Sequence, residues 1–153
     1  MSQNGRVDRI ISAETTVTPD ELFAAMNDLG TYSEWMSLIE RCERAVPAEG
    51  DLGPAWYVTL RAKVGPLARS KRLRMVQLLS APNEHVRYER NEIDGKQHSA
   101  WVMEAKIASL KPTGSSVTVE LTYSGGFWSG PLDAVLGSQV DVARDRLRAY
   151  LEN

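Results

Sequence analysis

Apolar and polar residues alternate through Ala55–Val64. Trp56, Val58, Leu60, Ala62 and Val64 stand against Tyr57, Thr59, Arg61 and Lys63, the period of a half-buried strand. The pattern recurs in Gln97–Leu110, with Trp101, Met103, Ala105 and Ile107 on one side. In Ser116–Tyr123, Val117, Val119, Leu121 and Tyr123 oppose Thr118, Glu120 and Thr122. β-Branched residues predict a first strand over Val7–Val17, and a second is expected over Leu38–Val46. Arg69–Leu79 has mixed parity: Leu73, Met75 and Leu79 face one way, Val76 and Leu78 the other. Either a bulge or burial on both faces accounts for that. His85–Ile93 follows, with Val86 and Tyr88 on one face, and Asp94-Gly95 signals a hairpin.

Helical spacing dominates only near the ends. In Gly130–Asn153, Leu132, Val135, Leu136, Gln139, Ala143, Leu147, Tyr150 and Leu151 share a face. Asp133, Asp141, Arg144, Asp145, Arg148 and Glu152 share the opposite one. Such a helix is roughly 30 Å long and needs a broad apolar surface, which an antiparallel sheet supplies. Thr18-Pro19-Asp20-Glu21 reads as a capped helix start, with Leu22, Phe23 and Met26 buried and Gly30 as the C-terminal cap. Thr31–Met36 predicts a second short helix carrying Tyr32 and Trp35. The order is β–α–α–β₆–α, a single α+β domain over residues 1–153.

Composition narrows the function. A formal net charge of −2 gives no global attraction to nucleic acid or anionic membranes. Cys42 is the single cysteine, and His85 and His98 lack a second ligand at metal spacing. No disulfide, zinc site or other cofactor is expected. No apolar window reaches membrane-spanning length and the start lacks a signal-peptide core, so a cytoplasmic protein is expected. Gly125-Gly126-Phe127-Trp128-Ser129-Gly130 is neither a nucleophile elbow nor a dinucleotide-binding loop.

Val17-Thr18-Pro19-Asp20-Glu21-Leu22-Phe23, Asn27-Asp28-Leu29 and Tyr32-Ser33-Glu34-Trp35-Met36, with the long terminal helix, resemble the helix-grip fold of the START-like superfamily. Within it the chain resembles the bacterial polyketide cyclase/dehydrase and lipid-transport (SRPBCC) family. That resemblance implies a curved seven-stranded antiparallel sheet wrapped around the C-terminal helix, two short helices closing one end, and a cavity between. It implies a hydrophobic or amphipathic ligand such as a lipid or polyketide. A polyketide cyclase or aromatase-like enzyme and a protein-interaction module of the same fold are the alternatives. The partner expected is the small molecule, with no nucleic acid; a homodimer is left open.

Within such a cavity, Trp56, Val58, Leu60, Tyr88, Trp101, Met103 and Tyr123 are candidate wall residues from the strands. Phe127 and Trp128 are candidates from an entrance loop, and Leu136, Gln139 and Ala143 from the helix. Gln139 is the polar member of an apolar face, suited to orienting a ligand carbonyl or hydroxyl. For a cyclase, Glu43, Glu89, Arg90 and His98 offer acid–base chemistry, though no spacing singles them out. Arg61, Lys63, Arg69, Lys71, Arg72 and Arg74 cluster around the Val64–Leu67 turn. They read as a solvated sheet face in preference to a docking patch for anionic head groups.

Overall fold

The computed structural model describes residues 7–64, 66–124 and 129–153. The elements are β1 (Val7–Thr15), α1 (Pro19–Met26), a 3-10 helix (Leu29–Glu34), β2 (Ile39–Arg44), β3 (Ala55–Val64), β4 (Leu67–Ala81), β5 (His85–Arg90), β6 (Trp101–Ser109), β7 (Ser115–Tyr123) and α2 (Ser129–Glu152). All seven strands form one antiparallel sheet in the order β1-β7-β6-β5-β4-β3-β2. The chain therefore starts at one edge and crosses to the other through α1 and the 3-10 helix. It returns as a meander until β7 pairs with β1. The helix-grip architecture follows, with α2 against the concave side.

Local chemistry sets the turns. Thr18 caps α1 by accepting the Glu21 N–H at 3.2 Å. The helix ends at Asn27 and not at Gly30. Asn27 keeps right-handed dihedrals and donates its N–H to the Phe23 carbonyl, while the Asp28 side chain accepts the Gly30 N–H at 2.9 Å to start the 3-10 helix. One backbone N–H and one side chain do what glycine was expected to do. The Met26 carbonyl, one of the last of α1, accepts the hydroxyls of Tyr32 (3.1 Å) and Tyr88 (2.7 Å).

β4 resolves its mixed parity in both ways. The register shifts between Gln77 and Leu79, and Val76 is fully buried with Ala45 and Ala55 in a small cluster on the convex side. Arg74 also points there, 0% exposed, its guanidinium held bidentately by Asp51 at 2.7 and 3.0 Å. The hairpin at Asp94-Gly95 is looser than expected. β5 stops at Arg90 and β6 begins at Trp101; Asn91 still donates its N–H to the Arg74 carbonyl and the Ala100 carbonyl accepts the Ser124 N–H, while the stretch between is held largely by side chains. Asp94 accepts the Lys96 N–H and holds His98, and Arg90 donates to the Ser99 carbonyl.

The end of α2 is stitched to the end of β1. Glu152 accepts from Thr15 Oγ1 (3.0 Å) and the Thr16 N–H (2.9 Å), while Ser115 Oγ donates to the Val17 carbonyl (2.8 Å). Glu152 stays exposed, as its place on the polar face of α2 implies, and these donors tether it to the end of β1. Tyr150, expected on the apolar face, is 38% exposed because it sits at the margin of the Ala143–Leu147–Leu151 stripe. Gly114 admits no side chain at this junction. Its φ is +97° and a Cβ would meet the Thr15 carbonyl oxygen at 2.6 Å.

Candidate functional site

The inner face of α2 buries Leu136, Ala143 and Leu147, with Val135, Val140 and Leu151 partly buried beside them. Spacings of seven and four residues keep that stripe over β1 and the 3-10 helix. Opposite, the concave face of the sheet is more completely filled than a curved sheet under a straight helix suggests. Tyr32, Trp35, Trp56 and Tyr88 pack edge-on and tilted at the α1 end, with ring centroids 5.1–5.9 Å apart. Trp101 and Tyr123 stack at 4.5 Å.

Two small voids survive among the described residues. One, of ≈ 10 Å³, lies deep, lined by Val58, Leu60, Trp101 and Met103 together with Met36, Met75 and Leu121. The other, of ≈ 20 Å³, lies directly under α2, against Leu136, Gln139 and Ala143 on the helix and Arg9, Ile11, Met36, Ser37 and Leu38 opposite. Each has room for little more than a water-sized molecule. The roomy space is outside: an open groove of ≈ 430 Å³ between α2 and the β2–β3 edge, lined by Ser37, Leu38, Glu40, Arg61, Ala62, Lys63, Val135, Ser138 and Gln139. Groove and inner void share Ser37, Leu38 and Gln139. At that shared wall Ser37 Oγ donates to Gln139 Oε1. The site is thus a crevice with a wide polar mouth, a hydrogen-bonded neck and a narrow apolar interior.

The edge of the sheet explains the mouth. β2 begins at Ile39 opposite Leu60, and the Arg61 N–H still reaches the Leu38 carbonyl at 2.9 Å, so it is residues 62–64 of β3 that run on with no strand beside them on that side. Arg61 and Lys63 alternate outward and stand at the rim, whereas Ala62 turns inward and is too small to close it.

The residues expected to line a cavity separate into three groups. Leu136, Gln139 and Ala143 line the void under α2, and Val58, Leu60, Trp101 and Met103 line the deeper one. Trp56, Tyr88 and Tyr123 point inward but border none of these spaces. The Tyr88 hydroxyl is committed to Met26, and Trp56 packs its ring against Tyr88 while Arg44 lies 5.1 Å above it. Phe127 and Trp128 lie outside the described residues.

None of the four acid–base candidates lines the crevice. Glu43 pairs with Arg41, Glu89 with Arg87, Arg90 with Glu92, and His98 with Asp94, each at 2.7–3.2 Å. Charged side chains on the outward parity of strands meet their neighbours before they meet a ligand. Arg9, Ser37 and Leu38 were not singled out from sequence. Arg9 shares parity with Ile11 and Ala13 on β1, so its position on the concave face was legible there; Ser37 and Leu38 lie in a short irregular connection with no periodicity to read.

Chemically, the crevice offers hydrogen bonds, charge and apolar contact. The Arg9 guanidinium lies against α2, within 3.2 Å of where a Cβ on Gly137 would stand. Cys42 is half-buried, and burial, with Asp28 and Glu43 adding to it, pushes its thiol up to about 12. It is not a thiolate near neutrality. Burial likewise raises Tyr32 and Tyr88 above the ordinary phenol range. No group of three or more metal-ligating side chains occurs among the described residues. Nor is any described helix long and apolar enough to cross a membrane.

A seven-stranded sheet gripping its C-terminal helix, with a crevice between them, is a helix-grip fold. The sequence matches the family of polyketide cyclase / dehydrase and lipid transport proteins over residues 11–152, and the chain belongs to that family. Among solved structures, a START superfamily protein from Mycobacterium smegmatis superposes with a TM-score of 0.65 at 15% identity, covering 96% of this chain and 97% of the other. An aromatase/cyclase from Streptomyces sp. R1128 gives 0.65 at 12% identity, covering 96% and 94%. The di-domain aromatase/cyclase of the steffimycin biosynthetic pathway gives 0.62 at 13% identity, covering 96% of this chain and 51% of that one. At such identities the likeness is one of fold. No curated protein matches the sequence significantly.

Proposed function

We propose that this protein binds a hydrophobic or amphipathic small molecule in the crevice between α2 and the β2–β3 edge. One observation carries the reading: the open groove and the apolar void under α2 meet at the same three residues, Ser37, Leu38 and Gln139. A ligand lying in the groove has its apolar part beside Leu38, Ala62 and Val135. Parting the Ser37–Gln139 contact gives it access to Leu136 and Ala143. Both neck residues then have hydrogen-bonding atoms for a ligand carbonyl or hydroxyl, which offsets the loss of their mutual bond.

The interior voids are far smaller than any lipid, so binding requires side chains to move. Met36, lining both voids, and Met75 and Met103, lining the deeper one, suit that demand because unbranched thioethers repack at low cost. Carriage is preferred to ring closure because the described lining has no group that titrates near neutrality within the apolar part. Glu40 faces only the open groove. The cyclase alternative would rest on positioning alone. Native mass spectrometry of the protein purified without detergent tests the reading. Co-purified apolar molecules, released on Ala143→Trp, are expected. An empty protein that also fails to take up added alkyl ligands would overturn it.

A further inference from the structure

The mouth of the crevice is not electrically neutral, and that constrains the ligand. Within the proposed binding function, we infer that the ligand carries an anionic head group, a carboxylate or phosphate, seated on Arg61 and Lys63 at the rim of the groove. The charged side chains lining the groove are Arg61, Lys63 and Glu40. Glu40 approaches Arg61 only to 3.9 Å, and both side chains are 47% exposed, so the guanidinium is not consumed by a tight pair. Lys63 has no ion pair among the described residues and is exposed.

The other basic residues near the β3–β4 turn differ in situation. Arg74 is sealed inside by Asp51, and Arg72 lies 3.9 Å over the Tyr57 ring on the convex side. The basic sequence cluster therefore divides, and Arg61 and Lys63 are the pair that borders the groove. They stand beside apolar Leu38, Ala62 and Val135. A cationic rim next to an apolar wall fits an amphiphile whose charged end stays wet while its chain turns inward. A neutral or cationic head would gain nothing from the rim.

Calorimetric titration of the full chain with dodecanoate, dodecyl phosphate, dodecanol and dodecyltrimethylammonium tests this, using wild type and the Arg61→Gln/Lys63→Gln variant. Wild type should bind one or both anions roughly threefold to tenfold more tightly than dodecanol, and the cation most weakly. The preference should shrink in the double variant and at high salt, anion affinity falling by a larger factor than dodecanol affinity. Whichever anion is preferred identifies the head group. Equal binding of dodecanol and both anions by wild type would overturn the anionic head while leaving the crevice reading intact, as would a preference untouched by the double variant. Failure of every alkyl probe to bind would remove the binding function itself, and this inference with it.

Discussion

Ser37 and Gln139, 102 residues apart in sequence, meet across the neck of the crevice, the hydroxyl donating to the side-chain carbonyl. The contact joins the connection after the 3-10 helix to the middle of α2. It stands between a groove open to water and an apolar void. Replacing Gln139 with Leu removes the polar partner at a half-buried site and should change stability by less than about 1 kcal/mol. Affinity for a ligand bearing a carbonyl or hydroxyl should fall several-fold, while a pure hydrocarbon probe should lose nothing. Parallel titrations of the two ligand types, with a thermal melt, check both halves.

Ala143 lines the void beneath the helix, 6% exposed. Leu at this position adds more volume than ≈ 20 Å³ can accept, so overpacking should cost ~1–3 kcal/mol. The larger side chain should also block the crevice. Denaturant unfolding and ligand titration of Ala143→Leu should show both losses together. Improved stability with undiminished binding would place the ligand elsewhere.

Much of this architecture was legible beforehand because the physics was local. β3, β6 and β7 each bury one face, so parity alone identifies Val58, Trp101 and Leu121 as inward-facing. Thr18 caps α1 as its position implies. What parity cannot say is whether an inward residue borders space or another side chain. Trp56 and Tyr88 face inward yet spend their surface on each other, and that depends on rotamers and sheet curvature. The neck depended on a contact between distant residues, one of them Ser37, in a segment without periodicity. Arg74 reads as one of a surface run until the loop carrying Asp51 folds over it.

That ion pair makes a stability prediction. Arg74 is fully buried and also donates to the Val46 and Asn91 carbonyls at 3.2 Å, so it ties the β2–β3 and β5–β6 connections to β4. Asp51→Ala leaves a buried guanidinium without its carboxylate and should cost about 3 kcal/mol. Arg74→Met/Asp51→Leu, which removes both charges, should be much less damaging. Urea unfolding of the single and double variants distinguishes a charge defect from a simple packing loss.

The same carboxylate sets an acid limit. The Arg74 hydrogen bonds, and then the Ala48 N–H, hold Asp51 below the usual carboxylate range. Hydrogen bonds from the Thr16 N–H and Thr15 do the same for Glu152. Groups with lowered folded-state values stabilise the protein above the unfolded carboxylate range near pH 4. That contribution disappears as pH falls through the folded values. Stability should therefore decline below about pH 4, and Asp51→Asn should flatten the decline while lowering stability at pH 7. Urea midpoints measured from pH 7 to pH 2.5 report this directly.

Gly137 faces the Arg9 guanidinium, and a Cβ there would sit 3.2 Å from its nearest nitrogen. The obstacle is the end of a flexible side chain, whereas the helix gains from losing a glycine. Gly137→Ala should therefore raise stability by up to about 1 kcal/mol. A lower melting temperature would show that Arg9 is held too firmly to yield.

Chemical-shift mapping of the isotopically labelled protein during titration with dodecanoate shows where on the fold a ligand sits. Perturbations concentrated at Ser37, Leu38, Gln139 and Ala143, spreading to Arg61 and Lys63, are the predicted result. Saturable shifts confined to the convex face around Arg87 and Thr122, or none in the folded protein, would contradict a ligand-binding crevice under the C-terminal helix.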